Sequence, residues 1–426
     1  MIAHPKLNRL CTPPEHATQP SETTKESGRA HTSACTGSHP FPAPTSPSPP
    51  ARLAHSLYQY QPRPHASDTW HSASTPSSSV TTAARCLDRA MASGDAAAPH
   101  VVDECRGVLF VYSDGSVVRR PGPGFATPVR DDGSVEWKDA TFDAARGLGL
   151  RLYRPVPTAT TEEKKKKLPV FLYYHGGGFC IGSRAWPNCQ NYCLRLASDL
   201  GAVVVAPDYR LAPEHRLPAA IDDGAAAVLW LAAQADADPW LAESADLSRV
   251  FVSGDSAGGT IAHHLAVRFG SAAGRAELGP TTTIRGYVQL MPFFGGEART
   301  RSEAECPDDA FLNRPLNDRY WRLSLPVGAT RDHPVANPFG PGALPLDDDD
   351  DGVEFAPTMV VVGGKDILRD RAVDYAARLK AMGKPVEVRE FEGQQHGFFT
   401  IDPWSDASAE LMRVVKRFVD SDGRFD

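Results

Sequence analysis

The sequence predicts an α/β protein: a mostly parallel central sheet covered by helices on both faces, with a small cap. Two observations carry this. Short apolar, β-branched runs alternate with amphipathic helical stretches from about residue 101 to the C-terminus, the pattern of strands buried on both faces. Several of those runs end in glycine-rich turns that lead into a helix or loop, which is how a parallel sheet presents its functional edge.

The elements follow in order. "GVLFVYSDGSVVRR" (107–120) reads as two strands around an S-D-G turn. "EWKDATFD" and "LGLRLYRP" alternate as half-buried strands, and the leading strands are expected to add antiparallel edge pairing. "PVFLYY" is followed by a helix around Asn188–Leu200, and "AVVVAP" by a helix over Pro218–Gln234. "RVFVSG" precedes a helix over Ala257–Phe269. "IRGYVQLMP" precedes an aromatic-rich insertion, expected to be helical, that runs to about Gly328. "PTMVVVGG" precedes a helix over Arg369–Met382, and "VEVREF" a last helix around Ala407–Val419. Cap elements are expected at about 92–135 and 293–328.

Residues 1–90 are a different material. They hold 13 of the 37 prolines and half of the 14 histidines, with no helical or strand period. Such a segment cannot bury enough apolar surface to offset its ordering entropy, so a disordered extension is expected. "MASGDAAAPHVVDECRG" at Met91 reads as a natural start, which would make these residues an upstream extension. Their few acids and many Ser/Thr also fit a transit peptide. Residues 91–426 are expected to form the catalytic domain.

Charge and cysteine usage exclude several classes. The net charge is −7 overall, +3 in residues 1–90 and −10 in the rest. An acidic body without a basic stripe argues against nucleic-acid binding. Lys164–Lys167 and Asp347–Asp351 read as solvated loops. The eight cysteines include no C-x-x-C pair, so reduced thiols and a cytoplasmic location are expected, with a nuclear or plastid location left open. No run of 18 apolar residues would span a membrane.

Chemistry gathers at three strand ends. Gly254-Asp255-Ser256-Ala257-Gly258 is a G-x-S-x-G turn between a strand and a helix; its glycines permit the tight bend that exposes a nucleophilic serine. A serine needs a base and a carboxylate to hold that base's tautomer. Asp366 follows "PTMVVVGG" and His396 follows "VEVREF", so each sits just past a strand. Asp370 is the rival acid, one helical turn on. His263 and His264 read as helix-face residues, and His215 and His333 as loop residues.

His175-Gly176-Gly177-Gly178 follows "PVFLYY". Bare backbone there could cradle a phosphate or donate to a developing oxyanion. No Lys-Ser/Thr follows the glycines, and no G-x-G-x-x-G with a distal acid occurs. The oxyanion reading remains, with Gly177, Gly178 and Ala257 as N–H donors. Aromatic walls for an apolar ester are expected from Phe179, Phe293, Tyr320, Trp321 and Phe398.

"HGGGF", "DYRLAPEHRLPAAIDD", "GDSAGG" and "EGQQHGFF" together resemble the hormone-sensitive-lipase-like branch of the α/β-hydrolases, in particular plant carboxylesterases. The resemblance spans about Val101–Phe418. It implies the α/β-hydrolase fold, Ser256 as nucleophile, His396 as base and then acid, Asp366 as its orienting carboxylate, no metal or organic cofactor, and a small-molecule ester as partner. It makes Asp208–Glu214 a supporting turn. "VDECRGVLFVYSDGSVVR", "IAHHLAVRFG" and "VVVGGKDILRDRAVDYAARLK" look closest to the subgroup with strigolactone-hydrolysing members, which implies a butenolide hormone among the possible substrates. Gibberellin receptors share the fold but lack the triad histidine and have an altered oxyanion loop. His396 and all three glycines are present here, so hydrolysis is the expectation and a non-catalytic receptor the alternative.

Overall fold

Alternation along the strands decides how the sheet is covered. In the computed structural model, which describes residues 98–123, 127–156, 167–234, 237–346 and 352–425, the chain begins with β1 (Val101–Cys105), β2 (Leu109–Tyr112) and β3 (Val117–Arg119). These pair antiparallel as a separate three-stranded sheet. The expected antiparallel pairing at the edge of the main sheet therefore comes from β4 (Val135–Asp143) and β5 (Leu148–Pro155) alone.

The repeating part follows as β6 (Leu168–Tyr174), α1 (Pro187–Leu200), β7 (Val203–Pro207), α2 (Ala219–Gln234), α3 (Pro239–Ser244), β8 (Ala245–Asp255), α4 (Ala257–Gly270), α5 (Ala272–Glu277) and β9 (Ile284–Leu290). An insertion carries α6 (Arg301–Ala304) and α7 (Arg314–Ser324). The chain closes with β10 (Thr358–Gly363), α8 (Arg369–Ala381), β11 (Val386–Phe391), α9 (Phe398–Ile401) and α10 (Asp406–Asp420). The main sheet runs β11-β10-β9-β8-β6-β7-β5-β4, and its pairs from β11 to β7 are parallel.

The period of two in the strands sorts side chains between two cores. Val170, Leu172 and Tyr174 of β6 join Val203 and Val205 in the cluster that includes Val228 of α2, Ile261 of α4 and Leu379 of α8. Phe171 and Tyr173 join Val204 in the opposite cluster, which contains Leu196 of α1 and Val415 of α10. A fully buried aromatic or branched side chain of this kind contributes about 1.5–3 kcal/mol.

Three short helices are absent from the sequence expectations: α3, α5 and α9. α3 has a signal that could have found it, because Asp238 precedes Pro239 and its carboxylate accepts from Trp240 N–H at 2.9 Å. The 1–90 extension, Lys164–Lys166 and Asp347–Asp351 lie outside the described residues.

Candidate active site

β6, β8, β10 and β11 run parallel, so the loops after them open at one edge of the sheet. These loops carry the glycine run, Ser256, Asp366 and His396.

Ser256 sits between β8 and α4 with φ 53 and ψ −116, a backbone conformation that costs a non-glycine residue of order 1–3 kcal/mol. Its surroundings hold it there. Ser256 N–H donates to Leu290 O at 2.8 Å, and Ser256 O accepts from Phe293 N–H at 2.9 Å. The flanking glycines are required by packing: a Cβ on Gly254 would collide with the Gly258 backbone, and one on Gly258 with the carbonyl of Tyr174. The elbow thus rests directly on the end of β6.

Asp366 and His396 are joined at 2.8 Å through Asp366 Oδ2 and His396 Nδ1. The other carboxylate oxygen accepts from Leu368 N–H at 2.9 Å. Backbone bonds lace the two loops together: Gly364 N–H to Phe391 O at 3.0 Å and Lys365 N–H to Gln394 O at 2.9 Å. Asp366 is 2% exposed and His396 7%. The contact to Nδ1 leaves Nε2 as the ring nitrogen for proton transfer.

The rival groups are engaged elsewhere. Asp370 accepts from Ser302 N–H at 2.8 Å and pairs with Arg369. His263 is bonded to Tyr375 at 2.9 Å, and His264 donates to Val335 O at 3.1 Å. Burial pushes His263 well down and His264 down to about 4, so both rings are neutral, each with a single N–H, at neutral pH.

After β6 the chain turns at Gly177 (φ 127) and Gly178 (φ 57), conformations that favour glycine. A Cβ at Gly177 would collide with Ile181 O, and one at Gly178 with the Tyr320 ring. His175 stacks on Tyr209 with ring centroids 4.4 Å apart, and Tyr209 OH donates to His175 O at 2.7 Å. Asp208 takes Arg184 as its ion-pair partner. The "DYRLAPE" turn therefore lies against the base of the glycine loop.

Ser256, His396, Gly176, Gly177 and Gly178 line one cavity of about 80 Å³. Ala257 is fully buried at the first position of α4. Of the expected aromatic walls, Tyr320 lines this cavity. Phe179, Phe293, Trp321 and Phe398 do not, which corrects the expectation. Phe293 and Trp321 stack at 4.1 Å, Phe179 packs on both, and Phe398 packs against Phe391 and Phe399. These large rings gain more from close packing in the core than from a partly open wall. Beside Tyr320 the wall is built by Trp186, Phe311, Leu312, Leu316, Thr400 and Arg106; Arg106, Phe311, Leu312 and Leu316 fall in the expected cap elements, though none of the six was singled out by itself.

Asp255 also faces the cavity. Burial raises its carboxyl above the usual range. Tyr173 OH, donating at 2.6 Å, and the N–H of Gly176 act in the opposite direction.

A fold whose parallel strands deliver a strained serine, a paired Asp–His and a glycine loop to one edge defines an α/β-hydrolase. The family model described as alpha/beta hydrolase fold matches residues 171–400, and the chain belongs to that family. Probable carboxylesterase 6 of Arabidopsis thaliana is 40% identical over 243 residues, covering 56% of this chain and 69% of the relative. Tuliposide A-converting enzyme 2, chloroplastic, of Tulipa gesneriana is 32% identical over 369 residues, covering 84% and 88%. Among solved structures, an esterase of Pyrobaculum calidifontis superposes with a TM-score of 0.54 at 29% identity, covering 67% of this chain and 85% of that one. Within the family the protein is a carboxylic ester hydrolase of the plant, hormone-sensitive-lipase-like type. No helix among the described residues is long and apolar enough to cross a membrane.

Proposed function

We propose that the protein hydrolyses small esters by two-step acyl transfer at Ser256. His396 takes the proton from the Ser256 hydroxyl as the oxygen attacks the ester carbonyl. The tetrahedral oxyanion is held by the N–H groups of Gly177, Gly178 and Ala257. His396 then gives the proton to the leaving alcohol. It next activates a water molecule that releases the acid and restores the serine. Asp366 holds the imidazole in the tautomer this requires and stabilises the imidazolium that forms.

The observation that carries the reading is His396, paired with Asp366 at 2.8 Å, lining the same cavity as Ser256 and the glycine loop. Preset donors at the oxyanion position contribute about 3–4 kcal/mol each to lowering the barrier. The cavity of about 80 Å³ lies well below the roughly 300–1,000 Å³ of sites that enclose drug-sized ligands, which favours a short acyl group.

A butenolide ester or enol ether of the strigolactone type is the hormone substrate suggested by the subgroup resemblance. A panel of 4-nitrophenyl esters of increasing acyl length, with a strigolactone analogue, tests both points. Turnover that falls steadily beyond short acyl chains supports the reading. Turnover that survives Ser256→Ala refutes it.

A further inference from the structure

Main-chain pairing between β6 and β8 runs out just short of the reacting groups. The register ends at Tyr174 opposite Gly254. One residue further, β8 ends in Asp255 and Ser256 follows, while β6 gives way to the loop His175-Gly176-Gly177-Gly178. The serine and the oxyanion donors thus lie on two segments whose separation the ladder no longer sets. Acyl transfer needs that separation held, because a misplacement of about 1 Å costs on the order of 100-fold in rate.

Asp255 bridges the gap with its side chain. Asp255 Oδ1 accepts from Tyr173 OH at 2.6 Å, and the carboxylate also accepts from the N–H of Gly176. Both donors therefore come from the β6 side, and all three residues line the cavity at Ser256. Tyr173 is a buried residue of β6 whose ring packs on that of Tyr192 with centroids 4.8 Å apart, so its hydroxyl is a fixed donor. The approach at Gly176 is close: a Cβ there would collide with Asp255 Oδ2. Gly177 and Gly178 have positive φ and Gly176 does not. The first glycine of the run is thus required by the carboxylate against it, and the other two by backbone conformation. A carboxylate taken out of water is costly unless its oxygens are bonded, and these two donors meet that need.

We infer that Asp255 is a positioning residue for acyl transfer: its carboxylate clamps the Gly176 N–H and the Tyr173 hydroxyl to the serine elbow, and so holds the Gly177 and Gly178 N–H groups in register with Ser256. The inference rests on the catalytic reading above and deepens it. The clamp works through hydrogen bonds to the loop and takes no proton from the reacting atoms; the carboxylate behind His396 is Asp366. Because the oxyanion forms only after the serine has attacked, a loosened loop weakens the transition state and leaves ground-state binding nearly as it was.

The test compares the purified full chain with its Asp255→Ala, Asp255→Asn and Tyr173→Phe variants on 4-nitrophenyl acetate. Each is also titrated with 1,1,1-trifluoro-2-butanone, whose adduct with the serine carries the oxyanion. Asp255→Ala should lower kcat about 10–100-fold with KM within about threefold, and should weaken the ketone by the same factor as kcat. Asp255→Asn should recover most of the loss, because its amide oxygen still accepts from Gly176 and its NH2 group donates to the Tyr173 oxygen. Tyr173→Phe keeps the Gly176 bond and should lower kcat about threefold at constant KM. An Asp255→Ala variant with kcat within about twofold of the unmodified protein overturns the inference, as does one that raises KM while the ketone affinity stays. An asparagine variant as impaired as the alanine variant also overturns it, since charge and not the clamp would then be at work. Should the alanine variant not fold, Tyr173→Phe decides: lowered kcat and ketone affinity at constant KM support the clamp, and unchanged values overturn it. Hydrolysis of 4-nitrophenyl acetate that survives Ser256→Ala would instead overturn the catalytic reading, so the two failures are distinguishable.

Discussion

The loops that hold Ser256, Asp366 and His396 and the wall built by β1–β3 with α7 face the same cavity but are held by different forces. The first region is fixed by the parallel sheet and by main-chain bonds between adjacent loops. The second is fixed largely by guanidinium groups. Arg119 donates to Cys180 O at 2.7 Å and Ala212 O at 2.8 Å and pairs with Glu214. Arg319 donates to Glu104 O at 2.5 Å, and Arg322 pairs with Asp103. The groups proposed to make and break bonds are thus placed by elements of the parallel sheet. The wall of the cavity is pinned by side chains instead.

The difference can be broken from the catalytic side first. Ser256→Ala should lower kcat for a short 4-nitrophenyl ester by about 10⁴–10⁶-fold with an unchanged melting temperature. Asp366→Asn should cost about 10⁴-fold, because the wrong imidazole tautomer is stabilised. Asp370→Asn should leave kcat within a few-fold, since that carboxylate serves Ser302. Equal losses at the two aspartates would undo the assignment.

The next effect tests where the regions meet. A methyl group on Gly178 would collide with the Tyr320 ring of α7. Gly178→Ala should therefore displace an oxyanion donor and lower kcat by about 10²–10³-fold, with a small change in KM. Single-turnover kinetics would show the loss in the acylation step.

Smaller effects belong to the wall and the core behind the elbow. Asp103→Asn removes a partner of Arg319 and the exposed Arg322 and should cost about 1 kcal/mol or less. It should raise KM rather than lower kcat, and the effect should fade at high salt. His264 lies in α4, with its folded value pushed by burial from 6.5 down to about 4. The unfolded chain takes up its proton first as pH falls. The stability from burying neutral His264 is therefore complete above about pH 6.5 and is lost between 6.5 and about 4. Urea unfolding across this window should show a decline that His264→Gln flattens.

The arrangement of the proposed catalytic region was legible because its signals are local. A strand, a glycine-flanked serine and a helix occupy consecutive residues, so bend, exposure and partner order can be read along the chain. Asp366 and His396 each follow an apolar run by a few residues, and parallel topology then brings them to one edge. The cavity wall was legible by segment and not by residue: Arg106, Phe311, Leu312, Leu316 and Tyr320 lie in the expected cap elements, and of the named aromatics Tyr320 alone lines it. Phe293 and Trp321 have the composition of a wall and became core. Arg106 and Phe311 look like turn and loop residues, and they meet only because β1–β3 form a sheet of their own over the insertion.

By itself, then, the sequence determined the order of strands and helices, the elbow at Ser256, the Asp–His partners and the glycine loop. All of these depend on backbone conformation within a few residues and on a topology that parallel strands impose. The tertiary structure alone decided which aromatics line the cavity at Ser256, which carboxylates are already engaged, and that an arginine on a turn with positive φ lines that cavity. Those outcomes depend on packing between segments more than 200 residues apart, such as Arg106 and Phe311, or Glu104 and Arg319 at a separation of 215. No local pattern encodes such contacts.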